Sequence, residues 1–296
     1  MKYRPITLAD KSLFDQFLDA GNHSLITYNF ANLYLWRHWD RFTWQIQNDA
    51  LCIKSEYNGR SMTLPPICQD RENLLATTED LIRQYRENSL PFIMTEVSQD
   101  MWEFFEQAWP GRFRAEEHRS GANYIYRRED LANLKGKHYD SKRNHIHRFE
   151  KEYPDYQFVP LCRDLVDPCK QRQKAWRYSH NPDNEQLILE EQGIMDALDH
   201  YQELGLSGAC LLVNGQLEGF TLGNRLDGQT WAVHIEKGNM QIHGSYQIIN
   251  RLYARDYCQD AVFINRAEDM GDPGLRKSKL SYHPCRLENK YLLTLK

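Results

Sequence analysis

The chain lacks the long apolar runs of a membrane protein. No stretch of its 296 residues approaches the ~20 consecutive apolar residues that a membrane-spanning helix needs. The opening residues, MKYRPITLADKSLF, also lack the apolar segment of a secretory signal. With a mean hydropathy of −0.73 and 41% hydrophobic residues, the composition is that of a globular protein with one large domain or two ordinary ones. We expect a cytoplasmic protein.

Cysteine patterns typical of disulfides or zinc sites are missing as well. The seven cysteines are odd in number and scattered, and no Cys-x-x-Cys pair occurs, which argues against a disulfide framework or a cysteine zinc site. His145 and His147 are close in sequence, but no carboxylate or thiol is positioned to complete a metal site with them. We therefore predict buried free thiols and no metal.

The chain also carries little net charge. A formal charge of −4 excludes a protein whose whole surface binds polyanions. Segment 135–151 departs from this balance, because it holds six Lys or Arg against two acidic residues, with three His between them. Its composition favours a basic helix that suits tRNA or anionic head groups. The candidate contacts are Lys142, Arg143, His147 and Arg148; a solvated helix between domains is the alternative.

Apolar periodicity and turn signals predict an α+β protein with a mixed sheet in each half. In the second half Asn214-Gly215 and Asp227-Gly228, both type I′ turn signals, separate three strands. The predicted elements there are the strands Gly208–Val213, Gln216–Gly223 and Thr230–Glu236, a helix Ser245–Cys258, a strand Ala261–Asn265 and a last strand Tyr291–Leu295. The first half has a similar outline, with turns at Asn48-Asp49 and Asn58-Gly59 but no alignable repeat. We place two domains at 1–127 and 152–296, with a basic helical connector at 128–151.

The segment that opens the predicted helix at Ser245 carries the most informative motif. A self-contained hairpin, a central strand TWAVHIE, a short loop and a helix beginning QIHGSYQ follow one another. This order resembles the GNAT superfamily, where the loop follows the pattern Gln/Arg-x-x-Gly-x-Gly/Ala and its N–H groups hold a pyrophosphate. The substrate-binding candidates on it are Gln241, Gly244, Ser245 and Tyr246. Tyr246 stands where a small residue is expected, and its side chain would crowd a phosphate.

The C-terminal segment GLRKSKLSYHPCRLENKYLL points to a narrower group. Lys279-Leu280, Pro284 and Lys290-Tyr291-Leu292 fall at the spacing of a Lys-Phe, a Pro and an Arg-Tyr-Leu that close the catalytic domain of the phosphatidylglycerol lysyltransferase family. The connector KGKHYDSKRNHIHRFEKEYPDYQFVPL is similar to that of stand-alone relatives of the family. The resemblance implies two tandem GNAT-like domains joined by a basic helix.

The same resemblance implies an acyltransferase that moves an aminoacyl group from aminoacyl-tRNA to an amine or hydroxyl acceptor, a small molecule or a lipid head group. Because an aminoacyl ester is already activated, the enzyme needs to position the acceptor, remove its proton and stabilise the oxyanion. No cofactor is required. The catalytic candidates are Glu236 as the base, Lys279 to hold the acyl carbonyl or a phosphate, and Tyr282 to donate a proton or line the cleft. A paired surface carboxylate, a solvated lysine and a packed core tyrosine are the structural alternatives.

A further charged segment, FINRAEDMGDPGLRKSK, follows a buried strand and leads into a helix. Charged residues at the carboxyl end of a strand commonly form sites in α/β sheets, so its substrate-binding candidates are Arg266, Glu268, Asp269 and Arg276. A surface loop with ion pairs is the alternative. Two other functions stay open for the whole chain: a coenzyme A-dependent N-acyltransferase using a coenzyme A thioester, and a non-catalytic binding protein for tRNA or acidic ligands.

Overall fold

A computed structural model describes residues 3–19, 24–57 and 59–296, and the predicted turn at Asn58 therefore falls outside the described residues. The chain divides into two compact units. The N-terminal unit comprises residues 1–123, 268–272 and 287–296, and the C-terminal unit comprises 124–267 and 273–286. This division corrects the predicted one, because the connector 128–151 belongs to the C-terminal unit and the last strand belongs to the N-terminal unit.

The N-terminal unit is built on a seven-stranded sheet in the order β1-β2-β3-β4-β5-β14-β6. Its neighbours pair antiparallel except β4 and β5, which run parallel. The strands are β1 Arg4–Pro5, β2 Thr43–Gln47, β3 Ala50–Tyr57, β4 Arg60–Thr63, β5 Ile93–Ser98, β6 Phe113–Glu117 and β14 Lys290–Leu295. The helices are α1 Lys11–Leu18, α2 Phe30–Trp36, α3 Arg71–Glu87 and α4 Gln99–Ala108. Leu81, Phe92 and Phe105 are among the buried side chains of its core.

The C-terminal unit repeats this strand order in a second seven-stranded sheet, β8-β9-β10-β11-β12-β7-β13. Again the fourth and fifth strands, β11 and β12, are parallel. The strands are β7 Asn123–Arg127, β8 Gln157–Pro160, β9 Ser207–Val213, β10 Gln216–Arg225, β11 Thr230–Gly238, β12 Phe263–Asn265 and β13 Arg286–Glu288. The helices are α5 Arg128–Asn133, α6 Asp140–Glu152, α7 Arg163–His180, α8 Glu185–Asp199, α9 Ser245–Asp256 and α10 Pro273–Leu280.

The two sheets confirm the predicted α+β class, with a mixed sheet in each of two units. In each sheet the strand between the fifth and the edge strand comes from elsewhere in the chain, β14 in one and β7 in the other. The positions of β14 and β7 could not be predicted from local sequence, because they depend on backbone pairing between segments far apart in the chain.

The predicted three-strand meander is confirmed, but its two turns differ. Asn214 and Gly215 both have positive φ, 52° and 76°, as a type I′ turn requires. At the other turn the Asp227 side chain instead accepts hydrogen bonds from the N–H groups of Gln229 and Thr230. The type I′ prediction at Asp227-Gly228 was wrong, because neither residue has the positive φ that this turn requires.

Helix α9 covers the central strands of the second sheet with a buried apolar face that includes Ile248, Ile249 and Leu252. The helix lies so near β10 that a Cβ on Gly219 would come within 2.4 Å of Cδ1 of Ile249. This close packing fixes the start of α9, and the loop before it, relative to the end of β11.

Candidate functional site

The candidate site of the C-terminal unit begins where two parallel strands part. β11 and β12 pair only from Thr230 with Phe263 to Ala232 with Asn265. Beyond that point β11 continues to Gly238 without β12 beside it, and the register with β10 shifts by one residue at His234. Such bulges redirect side chains and often lie beside sites. Glu236 follows the bulge, and Arg266 directly follows β12.

Glu236 and Arg266 form a nearly buried ion pair at this opening. Their side chains are 12% and 11% exposed, and Nη2 of Arg266 lies 2.9 Å from Oε1 of Glu236. Burial opposes the charge on Arg266, but the Glu236 carboxylate, with Tyr126 and Tyr282, outweighs it and raises the arginine pKa. The side-chain amide of Asn250, on α9, also lies beside the pair, and in its satisfied orientation its oxygen accepts from Nε and Nη1 of Arg266 at 3.2 Å. The guanidinium is therefore held by both Glu236 and Asn250.

Lys279 supports this pair through the backbone. Its side chain is buried, and Nζ donates to the carbonyl oxygen of Arg266 at 2.5 Å. The carbonyl oxygen of Lys279 in turn accepts from the Tyr126 hydroxyl at 2.9 Å. These contacts tie α10 and β7 to the segment that carries Arg266. Lys279 thus anchors the backbone of Arg266 and adds positive charge nearby.

Lys142 reaches the same cluster from helix α6. Its Nζ donates to Oγ of Ser281 at 2.7 Å and lies 4.3 Å from the centre of the Tyr282 ring. The guanidinium of Arg266 lies 5.1 Å from the same ring. Burial, followed by the charge of Arg266, lowers the pKa of Lys142, and burial raises the pKa of Tyr282. Four of the predicted residues, from segments far apart in sequence, therefore meet here: Lys142, Glu236, Arg266 and Tyr282, with Lys279 behind them.

The loop before α9 has its own internal bonds. The N–H groups of Gln241, Ile242 and Ser245 donate to Oδ1 of Asn239, the carbonyl of Asn239 and the carbonyl of Ile242. Gly244 has a φ of +85°, and a Cβ there would lie 2.6 Å from the carbonyl oxygen of His145 on α6. Gln241 is exposed, whereas Ser245 is buried with its hydroxyl bonded to the Asn239 carbonyl.

The Tyr246 side chain packs into the unit, at the position where the GNAT loop pattern has a small residue. Its ring lies against Gly238 at the end of β11, at 3.1 Å from a Cβ placed there. Its hydroxyl accepts from Nε1 of Trp176 on α7 at 2.9 Å. Above the Trp176 ring, at 3.4 Å, lies Nζ of the buried Lys237, which pairs with Glu190 at 2.9 Å. Through Trp176, the tyrosine thus connects the loop to the ion pair between Lys237 and Glu190.

The other basic candidates of α6 do not join the cluster. Arg143 donates to the carbonyl oxygens of Leu134 and Gly136 and pairs with Asp140, so its guanidinium holds the chain before the helix. His147 and Arg148 are exposed, and Arg148 lies 3.9 Å from Glu152. Arg276 is half-buried on α10. Of the predicted tRNA or anion contacts, only Lys142 lies in the cluster around Glu236.

Glu268 and Asp269 belong to the N-terminal unit, where a different polar cluster is centred on Lys290. The ammonium of Lys290, 3% exposed, lies 2.6 Å from Glu96 and 3.7 Å from Glu268. Glu268 also accepts from Asn123 at 3.1 Å, and Asp269 is fully buried and pairs with Arg119 at 3.3 Å. Burial, then the charges of Glu96 and Glu268, raise the pKa of Asp40 to about 7 against the opposing effect of Lys290.

Several site residues went unpredicted. Asn250 is 3% exposed and lies on the buried, otherwise apolar face of α9. A polar residue at such a core position was the sequence signal that could have identified it. Glu96 and Lys290 gave the same kind of signal, since each is a charge within a strand pattern. Ser281 gave none. Within residues 3–19, 24–57 and 59–296 no group of three His, Cys, Asp or Glu side chains is arranged to hold a metal ion.

Solved structures with the same fold define the class of this protein. A conserved protein of unknown function from Bacteroides thetaiotaomicron is 35% identical over the whole of both chains, with a TM-score of 0.92. The C-terminal domain of a putative lysylphosphatidylglycerol synthetase from Agrobacterium fabrum has a TM-score of 0.68 at 15% identity, covering 98% of this chain and 93% of its own. L-PGS from Bacillus licheniformis reaches 0.67 at 15% identity over 97% and 92%.

The family follows from the sequence. Residues 22–294 match the family model described as phosphatidylglycerol lysyltransferase, C-terminal, and the chain belongs to that family of acyltransferase-like domains. An uncharacterised Mycoplasmoides gallisepticum protein is 25% identical over 177 residues, 60% of this chain and 57% of that protein. The match therefore spans little more than half of that relative. Among the described helices, none combines the length and apolar character needed to cross a membrane.

Proposed function

We propose that the C-terminal unit transfers an aminoacyl group from aminoacyl-tRNA to an amine or hydroxyl acceptor. The observation that carries the proposal is the Glu236–Arg266 pair at the point where β11 and β12 part. This pair places a carboxylate that can accept a proton beside cations that can stabilise a developing oxyanion. The family supports the same class of reaction, since its description names a lysyltransferase.

In the proposed step the acceptor's nitrogen or oxygen attacks the ester carbonyl of the aminoacyl donor. Glu236 takes the acceptor's proton, and the positive potential of Arg266 and Lys279 stabilises the tetrahedral oxyanion. The carbonyl re-forms as the bond to the ribose oxygen breaks, and that oxygen leaves with the proton that Glu236 took from the acceptor. The products are the aminoacylated acceptor and uncharged tRNA, so no redox partner or external activating group is consumed.

The loop before α9 favours a donor other than a coenzyme A thioester. Three of its N–H groups already donate within the loop, and donors already bonded within the protein are poorly placed for a pyrophosphate. Tyr246 occupies the space beside Gly238, and α6 lies against Gly244. We therefore propose that no cofactor is required. The partners proposed are aminoacyl-tRNA and a small-molecule or lipid head-group acceptor.

The test is aminoacyl transfer from charged tRNA with Glu236→Gln. Loss of a positioned base is expected to lower the rate by about 100-fold or more. Glu191→Gln is the matched control, because Glu191 pairs with Arg177 at 3.0 Å and both side chains are 13% exposed, as closely paired and as buried as Glu236 and Arg266. Equal rates for Glu236→Gln and wild type would remove the proposed base.

Acetyl-CoA supplies a second arm of the same experiment. We expect no rise in melting temperature when it is added to the wild-type protein, because a ligand stabilises a fold only if it binds the native state. A concentration-dependent rise, abolished by Gly244→Ala, would instead favour the coenzyme A-dependent N-acyltransferase.

A further inference from the structure

We propose that His145 and His243 form a pH-sensitive latch between helix α6 and the loop before α9. Nδ1 of His145 lies 2.8 Å from Nε2 of His243, and the centres of the two rings are 4.6 Å apart. Both side chains are half-buried. The latch itself does not depend on the proposed function, but its effect on the reaction rate rests on that proposal.

The contact between the two rings tolerates only one extra proton. One nitrogen must donate a hydrogen and the other must accept it with its lone pair, so two neutral rings, or one neutral and one charged ring, can bond. When both rings are protonated, both nitrogens carry hydrogens and both rings are positively charged. The hydrogen bond is then lost and the two rings repel each other.

The charges around His145 favour this loss at acidic pH. Burial, followed by the His243 ring and the charges of Lys142 and Arg148, lowers the pKa of His145 below its usual 6.5. The docked form, with α6 against the loop, therefore binds this proton less tightly than a form in which the rings are separated. Docking is complete at neutral pH and above, and it weakens as the pH falls below 6.5.

The neighbouring elements do not reverse this balance. Arg251 of α9 lies 3.8 Å from Glu150 of α6, and the short helical turn before α6 contributes the exposed side chains of Lys137 and His138. Of these four groups Glu150 alone is negative, and Arg251 offsets its charge. The surroundings of the histidine pair therefore stay positive.

The backbone beside the latch transmits a separation of the rings to the loop. His243 directly precedes Gly244, and a Cβ on Gly244 would lie 2.6 Å from the carbonyl oxygen of His145. The loop thus contacts α6 at the same point as the two rings. Because the N–H groups of Ile242 and Ser245 donate within the loop, we expect the loop to move as one piece when the rings repel.

Both sides of the latch lead to the reactive pair. Lys142 lies one turn before His145 on α6, and its Nζ reaches the residues that follow α10. The loop leads into α9, which carries Asn250 beside Arg266. Separation of α6 from the loop displaces groups on two sides of the pair, so the latch keeps the site assembled at neutral pH and loosens it at acidic pH.

Amide hydrogen exchange of the loop at about pH 7.5 and about pH 5, corrected for the intrinsic exchange rate at each pH, tests the latch. The reporting amides are those of Ile242 and Ser245. In the wild-type protein we expect their protection to fall by about tenfold at the lower pH, because a pKa difference of about one unit is a tenfold change in an equilibrium. His243→Gln keeps a donor and an acceptor but takes up no proton, so its protection should change by less than about twofold. His147→Gln, at an exposed histidine of the same helix, is the matched control and should respond as wild type does.

His145→Asn is a second variant, because its amide lies near the position of Nδ1 and does not titrate. It should also abolish the pH response. Two results would overturn the latch. One is equal protection of the wild-type loop at both pH values, which would mean that the His243 ring rotates away without moving the loop. The other is a pH response that persists in both His243→Gln and His145→Asn.

Aminoacyl transfer measures the effect on the site. Between the same two pH values, kcat of the wild-type protein should fall about tenfold more than kcat of His243→Gln. Equal falls in kcat would overturn the link between the latch and the reactive pair. Failure of the proposed function gives a different pattern: the loop responds to pH in wild type and not in His243→Gln, but Glu236→Gln transfers as fast as wild type.

Discussion

The two units share one strand order but differ in the charges placed at the end of the fifth strand. In the C-terminal unit, Arg266 directly follows β12 and pairs with a single carboxylate, Glu236, with further cations around it. In the N-terminal unit, Glu96 lies on β5, and one buried cation, Lys290, faces Glu96 and Glu268. One cluster therefore carries excess positive charge and the other excess negative charge.

This difference teaches that the fold supplies the position and the side chains decide the chemistry. A cation-rich cluster can stabilise an oxyanion and bind an anion. In the acid-rich cluster one lysine binds the surrounding carboxylates, and burial, with the charges of Glu96 and Glu268, raises the pKa of Asp40. We interpret the first as the reactive site and the second as a buried network that stabilises its unit.

Removing the lysine from each cluster tests that contrast most strongly. Lys290→Met should lower the free energy of unfolding by about 3–5 kcal/mol, because it leaves buried carboxylates without a counter-charge. Lys142→Met should cost little, since no carboxylate depends on it. Urea unfolding of both variants measures the difference. The double change Glu96→Gln with Lys290→Met should recover part of the loss, and a full-sized loss from Lys142→Met would contradict the comparison.

The arginine beside Glu236 gives the next largest effect, on rate rather than stability. Arg266→Lys should lower kcat for aminoacyl transfer by about 100-fold, because the shorter-reaching ammonium misplaces the carboxylate. Arg177→Lys, in the matched pair with Glu191, should leave kcat unchanged. Glu268→Gln in the N-terminal unit should lower kcat less than Arg266→Lys does. An equal loss from Glu268→Gln would place the acidic cluster in the reactive site.

The sequence predicted the local elements better than their assembly. The meander from Ser207 to Gly238 and helix α9 were identified because alternation, turn residues and the 3.6-residue period are local signals. The placement of β14 in the first sheet was not predicted, because pairing between strands far apart in sequence has no local sequence signal. The same holds for the site: Glu236 was proposed from its strand end, whereas its contacts with Asn250 and Arg266 depend on how α9 packs.

Two glycines with left-handed backbones, one in each unit, allow a further comparison of the units, with smaller expected losses of stability. Gly244, in the C-terminal unit, has a φ of +85° and a neighbouring backbone oxygen at 2.6 Å from a Cβ, whereas Gly271, in the N-terminal unit, has a φ of +80° and nothing nearer than 3.7 Å. Gly244→Ala should cost about 2 kcal/mol or more, because strain and overlap add. Gly271→Ala should cost about 1 kcal/mol from strain alone. Equal losses of stability in thermal unfolding would show that α6 moves to accommodate the added methyl group at Gly244.

The pH dependence of stability tests the acidic cluster of the N-terminal unit by itself. Asp40 has a folded-state pKa of about 7 against its usual 3.8, so the folded protein binds this proton more tightly than the unfolded chain. Its contribution to stability is therefore fully present below about pH 4 and is lost as the pH rises through about 7. Asp40→Asn keeps a neutral side chain at every pH and should be more stable than wild type at pH 8, with no gain at pH 4. Urea unfolding at the two pH values measures this gain. Parallel stability curves for the two proteins would mean that burial, Glu96 and Glu268 do not raise the pKa of Asp40, and Asp40 would then play no part in the contrast with the site around Glu236.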